Sequence, residues 1–177
     1  MTILTTARLT LRPQAQADAP ALFAILNDPL AMRFWHRPAI ARLAVVEELV
    51  AEQQAAMANG VCRYWTVFED GAAIGSVDLS LIEDASAELG FVLRRDRWGL
   101  GLASEAAGAV IAQAFGPLGL THLAAATWSE NRAAARVLEK AGFARRDQRL
   151  VRLAGGAVVD CNFYVLRRDQ SIMANGR

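Results

Sequence analysis

The spacing of hydrophobic and polar positions changes period several times along the chain, and each change predicts an element. Positions 8–12, Arg-Leu-Thr-Leu-Arg, alternate with a period of two, as a half-buried strand does, and Pro13 ends the run. Asp18 reads as an N-cap, with Pro20 in the first turn of a short helix. Leu22, Phe23, Ile25 and Leu26 form the apolar stripe of that helix, and Pro29 stops it. A loop over 32–38 holds the large side chains Phe34, Trp35, His36 and Arg37. A second helix carries Val46, Leu49, Val50, Gln53 and Met57 on one face and ends at Gly60. Strands at 64–69 and 73–82 flank Asp70-Gly71, a strong hairpin signal, with Gly75 as a candidate bulge. Alternation places Val77, Leu79 and Leu81 on one face and Asp78 and Ser80 on the other. In the next strand, 87–93, Leu89, Phe91 and Leu93 share one face, and Glu88, Gly90 and Val92 share the other.

Helical spacing returns over 102–115. Ala106, Val110 and Ala114 form one row, with Ala107 and Ile111 beside it, small enough to lie close on a sheet. A short buried strand at 123–128 follows, then a helix from about 131 to 141 centred on Val137 and Leu138. A hairpin of 143–153 and 158–166 over Ala154-Gly-Gly-Ala157 comes last. The order is strand, helices, three strands, helix, strand, helix, two strands. It predicts an α+β fold with a mixed sheet. We read a single domain over 1–167 and a polar tail over 168–177, with no internal repeat or linker.

Composition changes this picture mainly by exclusion. At 177 residues and 54% hydrophobic, the chain has enough apolar material for one well-developed core. A net charge of +1 argues against a nucleic-acid or anionic-membrane footprint. Glu105 and Gln113 interrupt the best candidate for a membrane span. Residues 1–8 lack the basic start and long apolar segment of a signal peptide, so the expected compartment is the cytoplasm. Cys62 and Cys161 show no metal-ligand spacing and read as buried small hydrophobes; no metal is expected.

One stretch carries chemistry. Between the 87–93 strand and the 102–115 helix lies Trp98-Gly-Leu-Gly-Leu-Ala-Ser-Glu-Ala. Gly99 and Gly101 allow a left-handed backbone. A glycine loop that opens a helix aims several unpaired N–H groups, and the positive end of the helix, at one spot. Such a spot seats phosphate. The loop alone fits a plain tight turn equally well. A dinucleotide loop is rejected because the third glycine is missing and an antiparallel hairpin precedes it. A Walker loop is rejected because Gly101-Leu102-Ala103 is not Gly-Lys-Ser/Thr.

The loop also resembles the acyl-coenzyme A site of the GNAT superfamily of N-acetyltransferases, whose motif is Arg/Gln-x-x-Gly-x-Gly/Ala; Trp98 stands in place of the Arg/Gln. The aromatic-Gly-x-Gly-x-Ala-Ser-Glu-Ala form is similar to the RimJ/RimL-type branch, which acetylates ribosomal-protein N-termini. Two further runs match that branch: Arg-Leu-x-Leu-Arg-Pro, here residues 8–13, and Asn-x-x-Ser-x-x-Val-Leu-Glu-Lys-x-Gly-Phe, here residues 131–143 with one exception. The resemblance spans nearly the whole chain. It implies a GNAT-like fold, with a mixed, mostly antiparallel sheet of six to seven strands, about four helices, and a splayed strand pair that holds the cofactor.

It also implies acetyl transfer from acetyl-coenzyme A to a primary amine, by direct attack in a ternary complex. The diphosphate is expected on backbone N–H groups of Gly99, Leu100, Gly101, Leu102, Ala103 and Ser104, with Trp98 at the loop's start. Pantetheine is expected along the strand edge at Phe91, Val92 and Leu93, pairing as an added strand would. Asn131 is expected near the thioester, although the same residue is a natural N-cap. Glu88 is the first choice for taking the amine's proton, with Asp78 as second choice; an ordinary solvated strand carboxylate fits Glu88 as well. His36 lies in a loop placed to cover the site. Arg136, with Arg132 and Lys140, fits either the 3′-phosphate of coenzyme A or a solvated helix face.

The sequence departs from the family at the acid that protonates the leaving thiol. The usual Tyr is Leu138, and the Ser that the RimL-type branch offers is Ala134. Water, or a group from elsewhere such as Ser129, is left to act. A non-catalytic acyl-coenzyme A-binding module on the same fold is the rival reading. The expected partner is an amine acceptor, either a protein N-terminus or a small molecule, with the chain acting as monomer or homodimer.

Overall fold

The structure is a computed structural model and describes residues 2–169. Two short strands come first, β1 (Leu4–Thr5) and β2 (Leu9–Pro13), followed by α1 (Ala19–Leu26) and α2 (Leu43–Ala58). β3 (Arg63–Glu69), β4 (Ala72–Glu83) and β5 (Ser86–Leu93) form a meander. Then come α3 (Leu102–Phe115), β6 (His122–Trp128), α4 (Arg132–Lys140), β7 (Ala144–Arg152) and β8 (Val158–Arg167). All eight strands lie in one sheet, in the order β1-β2-β3-β4-β5-β6-β8-β7. The β5–β6 pair is parallel and the other pairs are antiparallel.

Alternation along the strands sorts side chains into two layers. Leu9, Leu11, Val67, Val77, Leu79, Leu89 and Leu93 are buried with the α3 residues Leu102, Ala106, Ala107, Val110 and Ala114. The alanines on α3 let the helix approach the sheet closely. On the other face, α1 and α2 bury Leu22, Ile25, Val46 and Val50 together with Val92 of β5. That face also carries a row of polar groups, Thr66, Asp78 and Glu88 among them. β5 therefore has one apolar face beneath α3 and one mixed face beneath α1 and α2.

Four expectations change in detail. The sheet has eight strands, not six to seven; the additional one is β1, two residues paired to β2. Leu81 does not continue the face of Val77 and Leu79. It is 73% exposed with φ +51°, inside the irregularity where the β4–β5 register shifts between Ser80 and Glu83. Asp18 does not cap α1 through its side chain. Its carboxylate accepts the Ala15 N–H (2.9 Å), an Arg12 guanidinium N–H (2.6 Å) and the Thr66 hydroxyl (2.8 Å), fastening the chain before α1 to the sheet. The bulge in β4 falls on Ile74, which is left between the Val67–Gly75 and Phe68–Ala73 pairs. Gly75 has a separate reason to be glycine: a Cβ there would collide with the Val92 carbonyl oxygen. The expected tail lies outside the described residues apart from Arg168 and Asp169. Both cysteines are free and buried, as expected.

Candidate active site

The central feature is a fork in the sheet. β5 and β6 pair only over Ser86–His122, Ala87–Leu123 and Glu88–Ala124. Beyond Glu88 the strands part, leaving one edge of residues 89–93 without a neighbouring strand. β6 turns its other edge to β8, as far as the Trp128–Cys161 pair. The apex of the fork is thus Glu88, and its open side is the backbone of Leu89, Gly90, Phe91, Val92 and Leu93.

The mouth of the fork is bridged. The segment 27–42 is closed at its base by the Asn27 amide donating to Ile40 O (2.8 Å) and by Ile40 N–H donating to Leu26 O (2.8 Å). Asp28 pairs with Arg95, just past the end of β5 (3.0 Å). Phe34 meets the indole of Trp128, at the end of β6, edge-on with centroids 5.8 Å apart. The segment therefore reaches the ends of both diverging strands.

The glycine loop follows the outer end of β5. Trp98 folds back and donates its indole N–H to Leu93 O (2.8 Å), which turns the corner. Gly99 and Gly101 have φ of +76° and +80°, conformations in which a side chain is strained. Nothing lies within 4 Å of a Cβ built on Gly99; on Gly101 the nearest group is an Arg8 nitrogen at 3.6 Å. Gly101 is the N-cap of α3, and its carbonyl accepts the Glu105 N–H (3.1 Å). Leu102 buries its side chain in the core, so it anchors the helix start and offers only backbone outward. Leu100 is 53% exposed on the loop's surface. This end of the site is built from backbone, as a phosphate seat requires.

The apex end is built from side chains. Asp78 of β4 faces Gly90 of β5, and Ser80 faces Glu88, so the two carboxylates are diagonal neighbours on one face. Asp78 is buried, and a Cβ on Gly90 would lie 2.7 Å from Asp78 Oδ1. Gly90 therefore makes room for a carboxylate. Burial and then the charge of Glu88 push the Asp78 pKa up to about 7, against a hydrogen bond with Ser80. Glu88 is half-buried; its burial raises its pKa, and the nearby His36 opposes that rise. Tyr64, paired across from Asp78, is pushed up to about 12 by burial first, then by Asp78 and Cys62. The arrangement places two acids of unequal burial, a phenol and an imidazole around the point where the sheet opens.

A model of the acetyltransferase (GNAT) domain matches residues 8–144, from the first arginine of β2's motif to the start of β7. This chain belongs to the GNAT acetyltransferase family. A Bacillus licheniformis relative named as an uncharacterized N-acetyltransferase, p20, is 27% identical over 175 residues, covering 96% of this chain and 98% of the relative. Solved GNAT structures share the fold. RimL, a ribosomal-protein α-N-acetyltransferase in complex with coenzyme A, superposes with TM-score 0.85 at 18% identity, over 94% of this chain and 98% of RimL. A Vibrio cholerae spermidine N-acetyltransferase, in complex with coenzyme A and spermine, superposes with TM-score 0.83 at 20% identity, over 94% of this chain and 99% of that one. The RimJ/RimL-type resemblance thus holds at the level of the fold, and the enzyme class is N-acetyltransferase.

Other positions singled out from the GNAT resemblance fall into place unevenly. Asn131 is the N-cap of α4, and its side-chain oxygen accepts the Ala134 N–H (3.1 Å). Leu138 is buried in the main core, 1% exposed, so the family's tyrosine position is here a packing position. Arg132, Arg136 and Lys140 are exposed on α4. Val92 turns its side chain into the α1–α2 cluster and leaves only its backbone for the open edge. Sequence reasoning missed Arg8, Thr6 and Glu105 as neighbours of the glycine loop. Arg8 and Glu105 each stood in a quoted motif, but nothing along the chain shows that the two motifs meet. No cluster of metal-ligating side chains occurs among the described residues, and no described helix is long and apolar enough to cross a membrane.

Proposed function

We propose that this GNAT enzyme moves the acetyl group of acetyl-coenzyme A to a primary amine by direct attack in a ternary complex, with Glu88 receiving the amine's proton. The observation that carries this reading is the position of Glu88: it is the last residue of the β5–β6 ladder, at the apex of the gap. The residues present fit the co-substrate. The left-handed glycines leave the loop's outer side open, and the free edge of β5 offers backbone groups to an extended ligand.

When bound, acetyl-coenzyme A supplies an activated acyl group on a thiol leaving group. Backbone N–H groups of Gly99, Leu100, Gly101, Leu102, Ala103 and Ser104 hold the diphosphate, and Trp98 closes that corner. The edge at Phe91, Val92 and Leu93 orients the pantetheine arm. Asn131 caps α4 at the side of the fork opposite Glu88, and Arg136 on the same helix meets the 3′-phosphate. An incoming ammonium loses its proton to Glu88, directly or through one water. Asp78 behind it, with its pKa raised by burial to about 7, is about half protonated at neutral pH, which reduces the like charge beside Glu88. The leaving thiol, with a solution pKa of about 8.5, needs less help than an alkoxide, so water or Ser129 suffices where Leu138 and Ala134 supply no acid.

The acceptor is an amine of a protein N-terminus or a small molecule. The two GNAT neighbours above name one of each and superpose with similar TM-scores, 0.85 and 0.83. We place the reaction in the cytoplasm, with the chain acting as monomer or homodimer. The test is release of free thiol from acetyl-coenzyme A against a panel of N-terminal peptides, polyamines and small amines, with products read by mass spectrometry. Transfer to an amine supports the reading. Binding of coenzyme A with no transfer to any member of the panel would favour the non-catalytic module, the reading that the buried Leu138 and the bare Ala134 favour.

A further inference from the structure

The turn between β1 and β2 meets the glycine loop through one residue. Arg8 Nη1 donates to Leu100 O at 3.0 Å. On its other arm, Arg8 Nε and Nη2 reach Glu105 Oε2 at 2.8 and 2.6 Å. Glu105 also accepts the Arg8 backbone N–H (2.9 Å) and the Thr6 hydroxyl (2.6 Å). A single guanidinium thus joins the loop carbonyl to an acid in the first turn of α3, bridging 97 residues of sequence.

Two physical consequences follow. The Leu100–Gly101 peptide is trans, so its C=O and N–H point in opposite directions. Holding Leu100 O towards Arg8 turns the Gly101 N–H to the other side of the loop, away from the guanidinium. The second consequence is electrostatic. A carboxylate in the first helical turn competes with any anion for the positive end of the helix. Arg8 and Thr6 draw the Glu105 carboxylate towards β1 and β2 and neutralise it. The carboxyl's pKa is accordingly lowered: burial raises it, and the hydrogen bonds from Thr6 and Arg8 outweigh that.

We propose that Arg8 is a positioning residue for the co-substrate seat. It fixes the Leu100–Gly101 peptide with its N–H outward and cancels the Glu105 charge that would repel the diphosphate of coenzyme A. The inference rests on the function proposed above for the loop. It differs from a simple fold clamp in what it predicts: the loss falls on binding of the anion, and removing the Glu105 charge restores part of it.

Coenzyme A is the probe, titrated calorimetrically into wild type, Arg8→Met and the double variant Arg8→Met/Glu105→Gln. Arg8→Met is expected to weaken binding about tenfold, and its KM for acetyl-coenzyme A to rise far more than its kcat falls. The double variant is expected to recover at least about threefold of that loss, since the uncompensated charge is gone. Arg8→Lys, the more conservative change, keeps a cation beside Glu105 but not the second arm to Leu100 O, and is expected to weaken binding about threefold. In the ligand-free proteins, Arg8→Met should speed hydrogen exchange at the Glu105 amide, which bonds to Gly101 O, more than at amides of β3.

A folded Arg8→Met protein with wild-type affinity, or a double variant no better than Arg8→Met, overturns the proposal and leaves the ion pair a fold clamp. A wild-type protein that binds no coenzyme A overturns the proposed function and this proposal with it, a result distinct from the variant-specific outcomes above.

Discussion

The two ends of the β5–β6 fork are made of different materials. The outer end, from Trp98 to Ser104, presents main chain: left-handed glycines, a helix start and a peptide held by Arg8. The apex presents side chains drawn from separate elements: Asp78 from β4, Glu88 from β5, Tyr64 from β3 and His36 from the 27–42 segment. A backbone seat recognises a diphosphate, whatever is attached to it. A cluster of side chains on several elements can be altered one residue at a time. The comparison separates the general half of the reaction from the particular half, and experiments on each half should fail in different ways.

The largest expected effect is at the apex. Glu88→Gln should lower kcat about 100-fold at pH 7, within the range of general-base catalysis. The loss should shrink as pH rises towards the acceptor's own pKa, because solvent then supplies neutral amine. An alkylamine with pKa near 10.4 should therefore stay impaired to higher pH than a peptide N-terminus with pKa near 7.7–8.0. Rate profiles from pH 7 to 10 on both acceptors check this. A defect of equal size at every pH would make Glu88 a placement residue.

At the outer end, Gly101→Val should weaken acetyl-coenzyme A binding tenfold or more, about 1.4 kcal/mol, since a branched side chain meets both the left-handed backbone and the ligand's approach. Calorimetry on the folded variant decides it. Unchanged affinity would remove the phosphate seat and, with it, the contrast between the two ends.

Asp78→Asn sharpens the apex further. The Asp78 pKa is raised to about 7 in the folded protein, against about 3.9 for an unfolded aspartate. Between those values the folded state holds the extra proton, so this group's contribution to stability falls as pH rises from about 4 through 7. Asparagine has no such penalty. The melting temperature of Asp78→Asn relative to wild type should therefore climb between pH 5 and pH 8. A constant difference would mean that Asp78 does not titrate in this range.

The smallest effect is at Asn131. Asn131→Ala should cost about 1 kcal/mol of stability through the lost cap, seen as a melting temperature lowered by a few degrees, and should reduce turnover more than this alone explains. A wild-type rate in the destabilised variant would leave Asn131 a helix cap and nothing more.

What was legible in the sequence follows the same division. The glycine loop could be read because its parts are consecutive: a strand, two glycines one residue apart, then a helix. Alternation also put Glu88 on the face opposite Leu89 and Phe91 without any tertiary information. It failed at Leu81 because an irregularity resets the period before β4 ends. Asp18 sits where an N-cap belongs, yet Arg12 on β2 and Thr66, distant in sequence, claim its oxygens. The junction of Arg8 with Glu105, and the space that Gly90 leaves for Asp78, depend on register between strands and helices, which no local pattern encodes. Leu138 was noticed as a departure from the family, but only its burial shows that the position has been given over to packing.

The short β5–β6 ladder has a mechanical meaning. Three residue pairs, and the Thr121 N–H bond to Ala85 O just before them, stitch a half-sheet of β1–β5 to a half-sheet of β6, β8 and β7. The seam is unzipped for the rest of its length. An extended molecule that lies in the gap and bonds to the free edge of β5 completes the seam, so it acts as a ninth strand as well as a reactant. Its affinity then becomes fold stability: at a hundred times its Kd it adds about 2.7 kcal/mol against unfolding. Cellular supply of that molecule would set how long this chain survives as well as how fast it works.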